Sequence, residues 1–305
     1  MTELLPNFLI VGFAKCGTTS LANILSEHKD VFVSKEKELR YFSYEYLKNF
    51  GYNGPGDYRP KNRVVKTFED YKKTFKYSKN FKCIGEATTD TSFYYEKTIP
   101  KIKQRLDDPK IIIMLRNPVE RSISAYSHLV REEREQLSFE DALSEECQRL
   151  RNGYEFIWGY TQASYYFHPV KAFINNFSNV HIVFFEDFIS NTEFEIQKIH
   201  SFLSLEDKAR ISQSHFNKSG KPKNKFLNRL LNRKLWVKET LKKIIGNKNA
   251  LAVKEKIQRK NLRKIVVNDE TKITLYNKFK GDITKLEQLL GKDLSHWKQY
   301  EKIIK

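Results

Sequence analysis

Three continuous apolar runs stand out along the chain, at residues 8–11 (FLIV), 110–115 (KIIIML) and 181–185 (HIVFF). Each ends at small or polar residues and is followed by an amphipathic pattern: from Thr18 with Leu21, Ile24 and Leu25, over about 119–133, and over about 192–203. A fourth short run precedes Gly85. Strands made of unbroken apolar residues and separated by helices mark a parallel sheet covered on both faces. The pattern predicts a three-layer α/β fold with a central parallel sheet flanked by helices. Residues 51–63 (GYNGPGDYRPKNR) read as a surface loop, 68–81 as a helix, and 275–297 as a closing helix with a glycine-containing stop. No internal repeat is present.

With 305 residues, 40% of them hydrophobic, the chain suffices for one large core, so a single domain over 1–305 is expected. Its net charge of +18 is local: residues 218–264 hold 17 Lys and Arg against Glu239 and Glu255. Interleaved Leu230, Leu231, Leu235, Trp236, Leu241, Ile244 and Ile245 make this block one or two basic amphipathic helices, an insertion at about 225–264 ahead of the closing helix. Such a face suits phosphates, a membrane surface or an anionic polymer, and equally suits plain solvation; no specific nucleic acid is expected. No apolar stretch approaches the roughly 18–20 residues of a membrane span, and no leader pattern opens the chain. Cys16, Cys83 and Cys147 lack metal-ligand spacing, and an odd count suits a reducing compartment. A soluble, cytoplasmic protein is expected.

The chemistry concentrates at residues 12–20, GFAKCGTTS, between the first run and the first helix, where open α/β sheets bind ligands. Backbone N–H groups at a helix start suit a phosphate. The nucleotide-binding pattern G-x-x-x-x-G-K-[ST] is close, but Gly17 is followed by Thr18, and the lysine sits inside the loop at Lys15. A lysine placed there approaches the bridge between a phosphate and the group in transfer, which argues against an ordinary ATPase.

GFAKCGTTSL resembles the 5'-phosphosulfate loop of sulfotransferases that use 3'-phosphoadenosine 5'-phosphosulfate (PAPS). The stretch 115–126, LRNPVERSISAY, resembles that family's 3'-phosphate element, with Arg116 at a strand end and Ser124 eight residues on; a planar guanidinium can grip a phosphate with two parallel hydrogen bonds. Residues 215–222, HFNKSGKP, resemble the late loop that closes over the nucleotide. The resemblance covers most of residues 6–225 and again 286–297, is closest to the heparan sulfate/glycosaminoglycan-type branch, and implies the P-loop-NTPase-like sulfotransferase fold. It implies donor contacts from Lys15, Cys16, Gly17, Thr18, Thr19, Ser20, Arg116, Ser124, Ser219, Gly220 and Lys221, with adenosine 3',5'-bisphosphate as product and no metal.

In the same branch a glutamate is followed at the next-but-one position by a basic residue and two aromatics. Residues 34–42, SKEKELRYF, resemble that element, which makes Glu38 the general base and Lys15 the group offsetting charge on the leaving oxygen. Glu36 competes, and a solvated Lys/Glu run is the plain alternative. Arg40 stands where many members have histidine. Low-order expectations for the acceptor side are Arg40, Glu86, Thr88, Tyr166 and His168, with Trp158 read as a core residue. Several relatives have lysine where Ala87 stands, so Lys37 or Lys221 would have to supply that charge. The implied reaction is sulfuryl transfer from PAPS to an acceptor hydroxyl, on a saccharide. Rival readings are an ATP/Mg-dependent phosphoryl-transfer enzyme and a polyanion-binding protein with a vestigial nucleotide site.

Overall fold

The computed structural model describes residues 4–58, 62, 64–206, 221–222, 261–263 and 265–302. At its centre β1 (Phe8–Ile10), β2 (Val31–Val33), β3 (Cys83–Ala87), β4 (Lys110–Leu115) and β5 (Val180–Phe184) form a wholly parallel sheet in the order β2-β3-β1-β4-β5. Helices flank it, which is the three-layer arrangement expected. The middle strand β1 pairs Phe8 with Gly85 on one side and with Lys110 on the other. Ile111 to Leu115 are all fully buried, which is why β4 is legible as an unbroken apolar run.

Two helix boundaries differ from expectation. The helix beginning at Phe68 stops at Thr74, not near 81, and its start is fixed by Thr67, whose hydroxyl accepts the Asp70 N–H at 3.1 Å. The closing helix spans Asp269–Leu290: Asn268 caps it by accepting the Thr271 N–H at 2.7 Å, and Gly291 in the left-handed region ends it. Its polar first turn hides the start from an apolar-period reading, and Trp297 lies in a separate short turn, Ser295–Trp297.

A short antiparallel pair joins Lys221–Pro222 to Leu262–Arg263 and brings Lys221–Pro222 alongside the helix Pro118–Arg131. The helical insertion expected at 225–264 otherwise lies outside the described residues, as do Ser219 and Gly220. Among the described residues no helix is long and apolar enough to cross a membrane.

Candidate functional site

The loop after β1 is held by its neighbours on the sheet. Val11 N–H donates to the Ile112 carbonyl at 3.0 Å and Phe13 N–H to that of Met114 at 3.3 Å. Gly12 lies so close to β4 that a Cβ there would sit 2.5 Å from the Met114 backbone nitrogen. At the other end Gly17, with φ 95°, turns the chain into the helix Thr18–Leu25, and a Cβ would strike the Phe185 ring at 2.8 Å. This helix has no side-chain cap at its N-terminus, so its first-turn N–H groups face outward with the positive end of the helix dipole.

Lys37 reaches that helix start, and Lys15 lies in the loop that leads into it. Lys15 is pushed down to about 7 by burial, with Arg131 and Arg116 adding repulsion and Glu132 partly opposing it. Lys37 Nζ lies 3.0 Å from Thr19 Oγ1 and 3.4 Å from Thr18 Oγ1, and burial lowers its pKa against the pull of Glu38. A cluster of cations desolvated at a helix N-terminus is a site prepared for a multiply charged anion.

Arginines at the end of β4 complete the loop's frame. Arg116 donates to the Lys15 carbonyl at 3.2 Å, and its guanidinium rests 4.6 Å from the Phe185 ring centroid. The helix that follows opens with Pro118, and Asn117 caps it by accepting the Val119 and Glu120 N–H groups. Ser124 lies two turns in, buried on the same helix. Arg121 is fully buried: Nε donates to the Ala14 carbonyl at 2.9 Å, and a terminal nitrogen reaches the Gly159 and Tyr160 carbonyls at 3.2 Å each. It ties the phosphate-sized loop to the 156–164 segment.

A set of carboxylates adjoins the lysines. Glu38, half-buried beside Lys37, accepts from the Thr89 hydroxyl and N–H, whereas Glu36 is exposed. Arg40 turns inward to Glu155 at 2.5 Å and Asp90 at 3.8 Å; burial works against its charge, but Glu155, Asp90 and Glu38 together raise its pKa. Burial pushes Asp90 up to about 6, with Arg40 opposing, and pushes Glu86 up to about 8, with Asp90 adding to the shift. The ionic chain continues from Glu155 to Arg134 and Asp57, the latter also accepting from Trp158 Nε1 at 3.0 Å.

The model of the sulfotransferase family matches residues 6–209, two thirds of the chain. The protein belongs to the sulfotransferase family. A solved sulfotransferase from Alicyclobacillus acidocaldarius superposes with a TM-score of 0.72 at 29% identity, over 97% of this chain and 99% of that one. The Membrane-associated sulfotransferase kil1 of Dictyostelium discoideum is 38% identical over 124 residues, 40% of this chain and 22% of that protein. The chain thus matches less than a quarter of that relative's length.

In this sulfotransferase the expected residues differ in burial and in partners. Lys15, Gly17, Thr18, Thr19 and Ser20 lie at the helix start, with Arg116, Ser124 and Glu38 on the elements around it. Cys16 has its thiol buried 3.9 Å from the Tyr166 hydroxyl, and its N–H donates to the Phe13 carbonyl within the loop. Tyr166 packs edge-on to Phe13 and against Trp297, fully buried behind the loop. Arg40 is buried in ion pairs with Glu155 and Asp90. Glu86 and Thr88 are buried beneath the cleft, Thr88 N–H bonding the Ile10 carbonyl. His168 is exposed at the start of the helix Phe167–Asn176, beside Asp282 of the closing helix. Trp158 is a core residue, as read from the sequence.

Sequence reasoning missed Arg121, Thr89, Asp90 and Glu155. Arg121 left one trace: it falls on an apolar face of its helix with Ala125 and Leu129, at i, i+4 and i+8, where a charge is out of place unless it is bonded.

Proposed function

We propose that this sulfotransferase takes PAPS as donor and a saccharide hydroxyl as acceptor, using Lys15 and Lys37 on the leaving side and Glu38 as base. The observation that carries the reading is Lys37 at an uncapped helix start, with Lys15 in the loop leading into it and the Glu38 carboxylate held by Thr89 close by. The residues present fit a phosphosulfate: outward N–H groups, two lysines whose pKa burial lowers and a bound anion would raise, and a loop glycine in the conformation the cradle needs. In this reading Arg116 and Ser124 hold the 3'-phosphate, and Lys221 lies on a strand beside their helix.

When the donor is bound, the acceptor oxygen forms a bond to sulfur while the bond from sulfur to the bridging phosphate oxygen breaks, releasing adenosine 3',5'-bisphosphate. Glu38 takes the acceptor proton, and Thr89 keeps both carboxylate oxygens in place as it does so. Lys15 and Lys37 meet the charge that grows on the bridging oxygen. Lys37 thereby fills the place left by Ala87, and positioning with electrostatics supplies most of the acceleration. The three cysteines carry no disulfide, which is in keeping with a cytoplasmic setting.

Titration calorimetry with adenosine 3',5'-bisphosphate, beside ATP with and without Mg²⁺, tests the donor. Micromolar or tighter metal-independent binding that Arg116→Ala weakens roughly tenfold or more supports the reading, because Arg116 contributes charge-assisted hydrogen bonds. A preference for ATP with Mg²⁺ would transfer the site to phosphoryl chemistry; no nucleotide binding would leave the polyanion-binding alternative.

A further inference from the structure

One polar row runs along the helix Pro118–Arg131. Glu120, Ser124, His128 and Arg131 succeed one another at helical spacing and share a face, while Ala125 and Leu129 fall in the core. Arg116 stands just ahead of the row, with one guanidinium nitrogen 4.0 Å from the Glu120 carboxylate. The strand Lys221–Pro222 lies beside the same helix.

Arg131 closes the row at its far end and leans back over it. Helical side chains tilt toward the N-terminus of their helix, and here Arg131 Nη2 lies 2.9 Å from His128 Nδ1, three residues back. From Ser124 to Arg131 the helix rises about 10 Å, most of which a backward-leaning arginine spans. The other side of the His128 ring is engaged as well: Nε2 lies 3.6 Å from Glu132, which in turn lies 3.6 Å from an Arg134 nitrogen.

The loop lysine meets the same group. Burial is what chiefly lowers Lys15, and among the charges around it Arg131 acts most strongly, ahead of Arg116. Burial lowers the pKa of Arg131 too, with Glu132 opposing. Three cations from the loop, the helix start and the helix end are thus crowded and partly dehydrated, an arrangement that an anion between them relieves.

A phosphate monoester carries about −1.5 to −2 at neutral pH. Arg116 already shares its charge with Glu120, and Ser124 is neutral, so a phosphate held by those two alone keeps charge unmatched. We infer that Arg131 is a further contact to the 3'-phosphate of the donor, exchanging His128 for the phosphate when the nucleotide binds. The inference rests on the donor reading above, in which Arg116 and Ser124 face that phosphate. The exchange favours the complex, because a guanidinium meets a phosphate through two parallel charge-assisted hydrogen bonds and an imidazole nitrogen through one.

The test is calorimetric titration of the full chain with adenosine 3',5'-bisphosphate and, into the millimolar range, with adenosine 5'-phosphate, which lacks the 3' group. Arg116→Ala is the reference variant. Arg131→Gln should weaken bisphosphate binding about tenfold or more, the loss of hydrogen bonds to a charged group, and leave the affinity for adenosine 5'-phosphate unchanged. Arg131→Lys should lose less, since it keeps the charge without the planar fork. Equal weakening of both nucleotides in Arg131→Gln would assign the residue a structural role and overturn the inference. Unchanged bisphosphate affinity in Arg131→Gln beside a clear loss in Arg116→Ala would also overturn it, with the donor reading left standing. A wild type that binds no bisphosphate would sink the donor reading, and this contact with it.

Discussion

Thr89 clasps Glu38 through two groups: its hydroxyl lies 2.8 Å from each carboxylate oxygen, and its N–H lies 3.1 Å from Oε2. A base held this way keeps one orientation, at the cost of sharing its lone pairs. Glu38→Gln should lower kcat by about 10² to 10⁴, the usual contribution of a positioned base, with bisphosphate affinity unchanged. Thr89→Val removes the hydroxyl but not the N–H and should cost roughly tenfold, about one hydrogen bond to a charged group. Steady-state kinetics with any turned-over acceptor reads both, and full activity in Glu38→Gln would move the base elsewhere.

Lys15 must carry its proton to meet an anion. With its pKa at about 7 in the free protein, a growing fraction is neutral above that pH. A bound phosphate raises the pKa, so binding takes up a proton. The lysine's contribution to affinity is complete below about pH 7 and is lost as pH rises through the higher value of the complex. Bisphosphate affinity should therefore fall above pH 7, by at most about tenfold per unit for one group. The slope should flatten in Lys15→Met. Identical pH profiles for the two proteins would show that Lys15 does not titrate against the donor.

The sheet and the donor loop were legible in the sequence because both are local. β4 is a run of buried residues with no polar interruption, and the loop's glycines and lysine are contiguous. β2, three residues long, offered no run to notice. The surroundings of Arg40 and Tyr166 were not legible, for a different reason. Whether a side chain faces a cleft or turns away from it depends on partners distant in the chain: Glu155 lies 115 positions from Arg40, and Cys16 lies 150 from Tyr166. Periodicity carries no record of such pairs.

Arg121 satisfies the carbonyls of Ala14, Gly159 and Tyr160 from within the core. Arg121→Met leaves these buried acceptors without their donor, an effect worth about 3 kcal/mol by the usual penalty for unsatisfied buried groups. Urea unfolding should show that loss, and bisphosphate affinity should fall as well, since the Ala14 carbonyl no longer anchors the loop. A stable variant with normal affinity would mean that water replaces the guanidinium.

Glu86, buried with a pKa of about 8, ionises in the folded state well above the ordinary carboxylate range near 4.5. Its protonated form therefore favours the fold at low pH, and that contribution is lost as pH rises from about 4.5 through about 8. Glu86→Gln keeps the shape without the charge. Its melting temperature should exceed that of the wild type increasingly between pH 5 and 8, by on the order of 5 °C at the upper end. A difference independent of pH would mean that Glu86 does not titrate in this window.

The burial of Cys16 has a practical side. Its thiol is pushed up to about 12, chiefly by burial, and Cys83 is buried and shifted the same way. Neither offers the thiolate that alkylating reagents require. Cys147, on the exposed face of the helix Phe139–Arg151, is the remaining thiol. The unaltered chain thus carries its own single attachment point for a fluorophore or spin label, and nucleotide titrations can be followed by spectroscopy without engineering a cysteine-free background.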